Sequence, residues 1–373
     1  MNNRLNYLLE ILGNGKKNIC YGAGDYGQQL LGFLQAHGCH LDYFVVTEND
    51  KSNETIFGIP VVEVNELVNV EGYNWIIGVS KKYIEEIKVI LRSRQIQASF
   101  VISDEDIENI IRDALSANKE FQNIVPNDKR CFVLGTGRTI ESQDLSHLYN
   151  EDVFSCSFIS LIEKYKLINS QYYILPALAN DPVYENGERK IYIREKMNFF
   201  SKTIISEMIF ADYNDRNYIH YFGGFEGKKI YYLYQRGNWN KERKKIFDLC
   251  EKTPFIQTGS IMMLKVAMYM GYKKIYLLGT EHDLVTHKYG HAYDLKKLKK
   301  MGFDKLLEIA LSQNMNLERK SNREILTKSL NMYNQYYYLH NMARENGIQI
   351  YNTTAGGSLD EFERVKYESL FSL

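Results

Sequence analysis

The pattern of apolar and polar positions in the first hundred residues predicts strands that alternate with helices. Apolar runs of strand length cover residues 18–21, 41–46, 74–79 and 98–103, and amphipathic helical patterns cover residues 22–38 and 81–94. Strands that alternate with helices are typical of a parallel, doubly wound sheet. We therefore predict one α/β domain over residues 1–103.

A second alternation follows residues 104–127, whose apolar positions have helical spacing and which are expected to form a helical connector. A long helical pattern covers residues 321–346, and strand-like runs recur at residues 131–134, 153–159, 171–178, 274–278 and 348–354. The predicted fold class is therefore α/β, with two Rossmann-like parallel-sheet domains. The second domain is expected over residues 128–373.

Two segments of the second domain depart from this alternation. Residues 180–255 are rich in Tyr, Asn and charged residues and have weak periodicity, so we predict a helical insertion or lid over the site. The tail at residues 358–371 is predicted to form a short helix. Residues 104–106 spell Asp-Glu-Asp, which we interpret as a charge run that caps the connector helix and not as a metal motif.

Formal net charge is zero, so there is no electrostatic case for a nucleic-acid partner. Basic clusters at residues 228–229, 241–245 and 296–300 are interpreted as solvated helix faces, although such a face could also rest on anionic lipid. The chain could therefore be peripheral to a membrane, and it could form a homo-oligomer.

Cysteine usage and hydropathy indicate a cytoplasmic protein, which could lie at the inner face of the membrane. The five cysteines include no CxxC pair, which supports neither a zinc ribbon nor a disulfide framework. Cys20, Cys131 and Cys156 lie in apolar runs and are expected to be buried. The N-terminus does not resemble a signal peptide, and no window has the apolar length needed to span a bilayer.

The first glycine-rich turn is G-x-G-x-x-G, formed by Gly22, Gly24 and Gly27 between a predicted strand and a predicted helix. Amides of such a turn can meet a phosphate at the helix N-terminus. Glu48, at the end of the second strand, could contact a ribose. The alternative is that the glycines only allow tight packing of strand and helix. The N-terminal domain is thus a candidate nucleotide or sugar-nucleotide site.

The second glycine turn is formed by Gly135, Thr136, Gly137, Arg138 and Thr139. The two threonines could cap the following helix and donate to a ligand, and Arg138 could pair with a phosphate or carboxylate. A plain capped turn with a solvated arginine is the alternative.

Three further positions are expected to converge on the same sheet edge as this turn. Thr258, Gly259 and Ser260 begin a predicted helix, whose amides and hydroxyls would suit a diphosphate or a carboxylate. Ser157 and Gly279 each follow a predicted strand. Ligands of open α/β sheets bind beyond the carboxyl ends of strands, which is where these residues are predicted to lie. The alternative is that Thr258 is only the N-cap of this helix and binds no ligand.

The loop after residue 278 carries Glu281, His282, Asp283, His287 and His291, which include enough ligands for a metal. Tyr289 and Gly290 argue against the helix that would bring the last two histidines together. A histidine acting as general base fits better, because its ordinary pKa lies near the working pH.

The chain resembles the bacterial family-42 sialyltransferases in three stretches. Residues 133–158 read VLGTGRTIESQDLSHLYNEDVFSCSF, residues 258–283 read TGSIMMLKVAMYMGYKKIYLLGTEHD, and residues 350–364 read IYNTTAGGSLDEFER. The resemblance spans about residues 129–362 and implies a sialyltransferase-like catalytic domain, a GT-A variant. The N-terminal unit resembles the small Rossmann-like domains often attached to polysaccharide-biosynthesis enzymes.

This resemblance implies an inverting, metal-independent glycosyltransferase that transfers a nonulosonic acid from a CMP-sugar to a glycan or glycolipid acceptor in surface-polysaccharide synthesis, with no cofactor. His291 is then the best counterpart of the family's base, His282 the second, and His287 a bystander. Tyr289 and Tyr293 would stabilise the departing phosphate. The nucleotide donor would bind Gly135, Thr136, Gly137, Arg138, Ser157, Thr258, Gly259, Ser260, Gly279 and Glu281.

Two other functions stay open at this point. The first is a magnesium-dependent diphosphokinase-like transferase on a related core, which would act on a triphosphate. The second is a non-catalytic protein whose glycine turns sense a nucleotide and regulate glycan assembly. The first predicts dependence on metal, and the second predicts ligand binding without turnover.

Overall fold

The computed structural model describes residues 3–47, 54–67, 70–178, 187–283, 291–318 and 321–371. The chain forms two compact units. Unit 1 comprises Met1–Ser116 with Arg216–Tyr221, and unit 2 comprises Ala117–Asp215 with Phe222–Leu373. The connector predicted at residues 104–127 holds a helix that belongs to unit 1, followed by a 3-10 turn at Ser116–Phe121.

Unit 1 is a six-stranded sheet with helices on both faces. Its strands, in the spatial order β3-β4-β2-β1-β5-β6, pair in parallel except for the antiparallel β3 and β4. They are β1 (Lys17–Tyr21), β2 (Tyr43–Val46), β3 (Thr55–Ile56), β4 (Ile59–Glu63), β5 (Tyr73–Ile77) and β6 (Phe100–Val101). The helices are α1 (Asn3–Leu12), α2 (Asp25–Ala36), α3 (Ile84–Ser93) and α4 (Asp104–Leu115).

The two faces of this sheet form separate cores because side chains alternate along each strand. Cys20 and Ile76 pack with α1, α2 and α4, whereas Ile19 and Trp75 pack with α3. Helix α4 begins with a capping box between Ser103 and Asp106, and Asp106 also pairs with Arg4 at 2.9 Å. The interpretation of residues 104–106 as a capping charge run is therefore confirmed.

Unit 2 is built on an eight-stranded sheet whose neighbouring strands are all parallel, in the order β11-β10-β9-β8-β7-β14-β15-β16. Its strands are β7 (Arg130–Leu134), β8 (Asp152–Cys156), β9 (Tyr172–Ile174), β10 (Met208–Asp212), β11 (Lys229–Leu233), β14 (Lys274–Leu278), β15 (Gln349–Asn352) and β16 (Glu363–Arg364). A small separate pair consists of β12 (Gln235–Gly237) and β13 (Thr253–Pro254).

The helices that follow in the chain are α5 (Gly187–Thr203), α6 (Arg216–Phe222), α7 (Gly259–Met270), α8 (Lys297–Lys300), α9 (Asp304–Glu318) and α10 (Asn322–Glu345). All but α6 belong to unit 2. Helix α7 is buried at every position from Ser260 to Met270. It begins at the N-cap Thr258 and ends at Gly271, which has a φ of 98°. Such an apolar helix, buried all round, lies in the core of its unit.

The order in which strands are added to the sheet reverses between β7 and β14, although the two strands are parallel. From β7 the sheet grows through β8 to β11 on one side, and the chain then returns to place β14 on the other side of β7. A crevice at the carboxyl ends of the strands is expected at such a switch point. This is the point at which the second glycine turn and the end of β14 meet.

The predicted fold class is confirmed, since both units are α/β with parallel-dominated sheets. The predictions of β14 and of the long helix α10 are also confirmed, and Cys20, Cys131 and Cys156 are buried as expected.

Two element predictions are wrong. Residues 180–255 do not form only a helical insertion, because β10 and β11 extend the main sheet within them. The tail at residues 358–371 forms β16 and a 3-10 turn at Tyr367–Leu370 instead of a helix. In the part of the chain that the structure describes, no helix is long and apolar enough to cross a bilayer.

Candidate functional site

A cleft of about 310 Å³ opens at the carboxyl ends of β7 and β14. The second glycine turn, the turn after β14, the end of β8, the start of α7 and one residue of α10 surround it. Its lining comprises Gly135, Thr136, Gly137, Cys156, Ser157, Gln257, Thr258, Gly259, Ser260, Gly279, Thr280, Glu281, His282, Asp283, His291 and Met332. Of the residues predicted to hold the nucleotide, Arg138 alone is not in this lining.

The second glycine turn contacts the turn at Gly279, which follows β14, within the cleft. The Gly135 N–H donates to the Leu278 carbonyl at 2.8 Å, and the Gly137 N–H donates to the Gly279 carbonyl at 2.9 Å. A Cβ on Gly135 would overlap the Gly279 carbonyl oxygen. Packing alone therefore requires glycine at position 135. A ligand in this part of the cleft would contact mostly backbone atoms.

The Glu281 carboxylate has a partner within the protein. The Thr139 N–H donates to Glu281 Oε1 at 2.7 Å, and the Thr139 hydroxyl donates to the same oxygen. A Cβ on Gly137 would overlap this carboxylate. Glu281, which was predicted to contact the donor, is 7% exposed and ties the loop after β14 to the second glycine turn.

The capping role predicted for Thr136 and Thr139 is wrong. Residues Arg138–Ser142 form a 3-10 turn whose cap position is Gly137, with no side-chain cap hydrogen bond. The Thr139 hydroxyl is used by Glu281 instead, and the Thr136 hydroxyl is used by His291. Arg138 is exposed at the start of this turn.

His291 is held against the second glycine turn by main-chain and side-chain bonds. Its Nδ1 lies 2.8 Å from the Thr136 hydroxyl oxygen, and the Ala292 N–H donates to the Thr136 carbonyl at 2.8 Å. The ring also stacks on Tyr293, with centroids 4.7 Å apart and planes 10° apart. The residue as a whole is exposed, but desolvation of its ring lowers the pKa of His291; the bond with Thr136 opposes this, and the charge of Arg138 adds to the lowering.

His282 also lines the cleft, with its backbone in the left-handed region at a φ of 51°. Its Nε2 lies 2.6 Å from the Tyr336 hydroxyl, and the Tyr333 hydroxyl donates to its carbonyl at 2.9 Å. Burial lowers the pKa of His282 to about 4, and the nearby His291 adds to this effect. The imidazole is therefore neutral at pH 7.

The start of α7 presents hydroxyls and amides to the cleft. Thr258 caps the helix by accepting from the Ile261 N–H at 3.5 Å, and its hydroxyl lies 3.2 Å from that of Ser260. A Cβ on Gly259 would lie 2.9 Å from Cys156 Sγ, so the helix approaches the end of β8 closely. A helix N-terminus carries partial positive charge, which suits an anionic group.

Ser157 and Tyr293 are neighbours at the end of β8. Ser157 has a φ of 58°, and its carbonyl accepts a hydrogen bond from the Tyr173 hydroxyl. Burial raises the pKa of Tyr293 to about 12, which a hydrogen bond with Ser157 partly offsets. Tyr293 therefore keeps its proton at neutral pH and can donate it in a hydrogen bond.

Helix α10 supplies residues that were not predicted from the sequence. Tyr336 and Tyr333 hold His282, Met332 lines the cleft, and the Gln335 side chain accepts from the Gln257 N–H at 2.9 Å. Their helical spacing is that of an ordinary core face. That spacing was the only signal that the sequence offered for them.

The glycines of unit 1 have packing roles. Gly22 has a φ of 114°, and a Cβ there would contact the Gly78 carbonyl oxygen at 2.5 Å. A Cβ on Gly27 would overlap the Gly22 carbonyl oxygen, which accounts for this glycine by strand–helix packing. Gly24 is the N-cap of α2, and a Cβ there would meet no atom within 4 Å.

Three predicted positions lie outside the described residues, namely Glu48, His287 and Tyr289. The loop therefore supplies Glu281, His282 and Asp283 at its start and His291 at its end. Among the described side chains, no three His, Cys, Asp or Glu residues are grouped as a metal site.

No protein-family model matches the chain, and no curated protein matches it. Solved structures that share some likeness include the sialyltransferase CstII from Campylobacter jejuni in complex with cytidine-5'-monophosphate, at 17% identity and a TM-score of 0.36, over 65% of this chain and 86% of that one. The same enzyme with a trisaccharide acceptor and CMP gives 17% and 0.35, over 64% and 86%.

A further structure with some likeness is the monofunctional alpha-2,3-sialyltransferase Cst-I from Campylobacter jejuni. It has 17% identity and a TM-score of 0.37, over 65% of this chain and 82% of that chain. Values this low carry no argument about chemistry. The function of this chain must therefore be argued from its own residues.

Proposed function

We propose that unit 2 is an inverting, metal-independent glycosyltransferase that transfers a nonulosonic acid from a CMP-sugar to a glycan acceptor. One observation carries the proposal. The second glycine turn, the turn after β14, a helix N-terminus and two histidines held by hydrogen bonds line a single cleft at the switch point of a parallel sheet. The motifs that resemble family-42 sialyltransferases supply most of these residues.

The leaving group of such a reaction is a phosphate monoester, so negative charge develops as the bond between sugar and phosphate breaks. Fixed donors aimed at that charge lower the barrier without a metal. The start of α7 offers amides together with the Thr258 and Ser260 hydroxyls. Tyr293, with its raised pKa, can donate a hydrogen bond to the departing phosphate.

The reaction also requires a base that takes the proton of the attacking hydroxyl. His291 suits this role because its pKa is lowered, so that the ring is neutral at pH 7. When its Nδ1–H donates to Thr136, the lone pair is on Nε2, which would receive the proton. His282, with a pKa of about 4, is a weaker base, and its Nε2 is already engaged by Tyr336.

A thermal-shift screen with CMP, CDP, UDP, GDP, ATP and NAD, each with and without EDTA, tests the nucleotide and the metal requirement. We expect CMP to raise the melting temperature equally in both conditions, since ligand binding to the folded state stabilises it. Stabilisation only by a purine triphosphate with magnesium would contradict the proposal.

Two variants locate the binding site in this screen. Ser260→Ala removes a hydroxyl of the cleft and should reduce the CMP-dependent shift. Gly24→Ala adds a methyl group that meets no protein atom within 4 Å, so it blocks only a ligand at the first glycine turn. A shift lost in Gly24→Ala and retained in Ser260→Ala would assign the nucleotide to unit 1.

Replacement of the proposed base tests catalysis separately from binding. His291→Ala should lower the rate of sugar transfer by about 10²–10⁴-fold, while the CMP-dependent thermal shift is retained. His40→Ala is the matched control, because that side chain is 77% exposed in unit 1. Transfer at the wild-type rate by His291→Ala would rule His291 out as the base.

A further inference from the structure

Helix α10 exposes a line of large apolar side chains. Leu326 is 53% exposed, Leu330 is 60% exposed and Tyr337 is 51% exposed. At about 100° per residue these three positions fall within about 40° of one another around the helix axis. They therefore form one stripe along one side of the helix, whereas apolar residues that are exposed singly need no explanation.

The carboxyl-terminal end of this stripe is basic. Arg344 falls on the same side of the helix, and it borders a hollow of about 530 Å³ with the loop at residues 241–245. Lys241, Arg243, Lys244 and Arg344 contribute four positive charges to the hollow, against two negative charges from Glu242 and Glu345, which leaves a net charge of +2. The chain as a whole has a formal net charge of zero, so this charge is local.

Aromatic side chains lie next to the basic loop. The Trp239 indole N–H donates to the Phe255 carbonyl at 2.6 Å, and the Trp239 ring lies 6.0 Å from that of Tyr338. Phe255 is 48% exposed. Tryptophan and tyrosine are the residues that favour the interface between lipid and water, since one end of each side chain is apolar and the other is polar.

We propose that this surface docks on an anionic lipid bilayer, with α10 lying in the interfacial plane. The surface, called here the α10 face, consists of Leu326, Leu330, Tyr337, Arg344 and the loop at residues 241–245. Apolar side chains bind at the boundary of the acyl chains in such a bilayer, and a local basic cluster is attracted to its anionic headgroups. The proposal does not depend on the glycosyltransferase activity proposed above.

The composition of the α10 face favours lipid over two other occupants. A nucleic acid would be attracted by the basic loop but would not bury the exposed leucines. A second copy of the chain that paired through its own α10 face could bury the leucines, but that face has a net positive charge and offers the basic loop no complementary charge. An anionic bilayer satisfies both the charge and the apolar stripe.

Co-sedimentation of the full chain with vesicles tests the proposal. We expect binding to vesicles of 70% phosphatidylcholine and 30% phosphatidylglycerol, weaker binding in high salt, and little binding to pure phosphatidylcholine. Lys241→Gln with Lys244→Gln should weaken the partition about 25-fold, from about 1 kcal/mol for each basic residue near the surface. Lys299→Gln with Lys300→Gln removes the same charge elsewhere in unit 2 and should have little effect.

The apolar stripe is tested with a second matched pair. Leu326→Ser with Leu330→Ser should also weaken vesicle binding by at least about tenfold. Leu167→Ser with Leu311→Ser, at positions 46% and 44% exposed, should not. Circular dichroism and a thermal melt establish that each variant is folded. The proposal would be overturned if the wild-type chain failed to bind anionic vesicles, or if the test and control pairs lost binding equally. Binding of a nucleic acid alone would also overturn it and would assign the basic loop to a different partner.

Discussion

Glu281 illustrates how a residue at a typical ligand-binding position can serve the protein itself. It follows β14 and was expected to contact the donor, yet its carboxylate accepts two hydrogen bonds from Thr139. Its carbonyl also accepts from the Ser358 N–H at 2.7 Å. Because Gly137 leaves room for this carboxylate, the residue holds three loops together around the cleft. The sequence identified Glu281 as a residue of the cleft, but it did not identify Thr139 as the partner of its carboxylate.

His282 should make the stability of the protein depend on pH. Its pKa is about 4 in the folded protein and near 6.5 when unfolded. A lowered pKa contributes stability that is fully present above pH 6.5 and is lost as the pH falls towards 4. We expect this contribution to be up to about 3 kcal/mol.

Chemical denaturation of the wild type and of His282→Asn between pH 7 and pH 4 measures this dependence. The difference in unfolding free energy between the two proteins should shrink as the pH falls, because carboxylates titrate equally in both. His147→Asn, at a side chain 44% exposed, provides the comparison for a histidine near the surface. A difference that stays constant with pH would contradict the burial of an uncharged imidazole.

At the scale of elements, α7 contributes both to the cleft and to the core of unit 2. Its N-terminus presents Thr258 and Ser260 to the cleft, and its body is the most completely buried helix among those that the structure describes. It carries one basic residue and no acidic one, and this residue, Lys265, is 1% exposed. The Lys265 ammonium donates to the Thr253 hydroxyl at 2.8 Å and to the Pro254 carbonyl at 3.1 Å, so it fastens α7 to β13.

Lys265 should give the protein a second pH dependence, at alkaline pH. Burial lowers the pKa of this lysine from 10.5 to about 7, and the charge of Arg243 contributes. The unfolded chain therefore binds the proton more tightly, and the unfolding free energy should rise between pH 7 and pH 10.5, by up to about 5 kcal/mol. Lys265→Met should remove this rise, which denaturant titrations at three pH values would measure.

Lys273→Met is the control for this experiment, since Lys273 is only half-buried and follows α7 in the chain. It should keep the wild-type slope of unfolding free energy against pH. The same slope in Lys265→Met would show that the buried amine is not the group responsible.

At the scale of the whole molecule, the alternation of strands and helices was sufficient to predict both parallel sheets. The ends of β14 and α10 are marked by local signals, since Gly279 follows the strand and Ser321 caps the helix. Strands β10 and β11 were missed because each is a five-residue run in a segment dominated by Tyr, Asn and charged residues.

The contacts that build the cleft could not be predicted in the same way. Thr136 and His291 are 155 residues apart in the chain, and His282 and Tyr336 are 54 apart. A single sequence predicts that such residues approach the same sheet edge, but their pairing depends on rotamers and loop paths. The residues of α10 that hold His282 had only the signature of a core helix.

The position of β14 has a consequence for the protein while it is being made. Thr139 and Glu281, which join the two sides of the switch point, are 142 residues apart, so a ribosome must add that stretch before β7 acquires its second neighbour. Until then one side of β7 is an open strand edge, which other chains can pair with. A nascent or prematurely terminated chain therefore exposes an aggregation-prone edge at the place where the finished protein has its cleft.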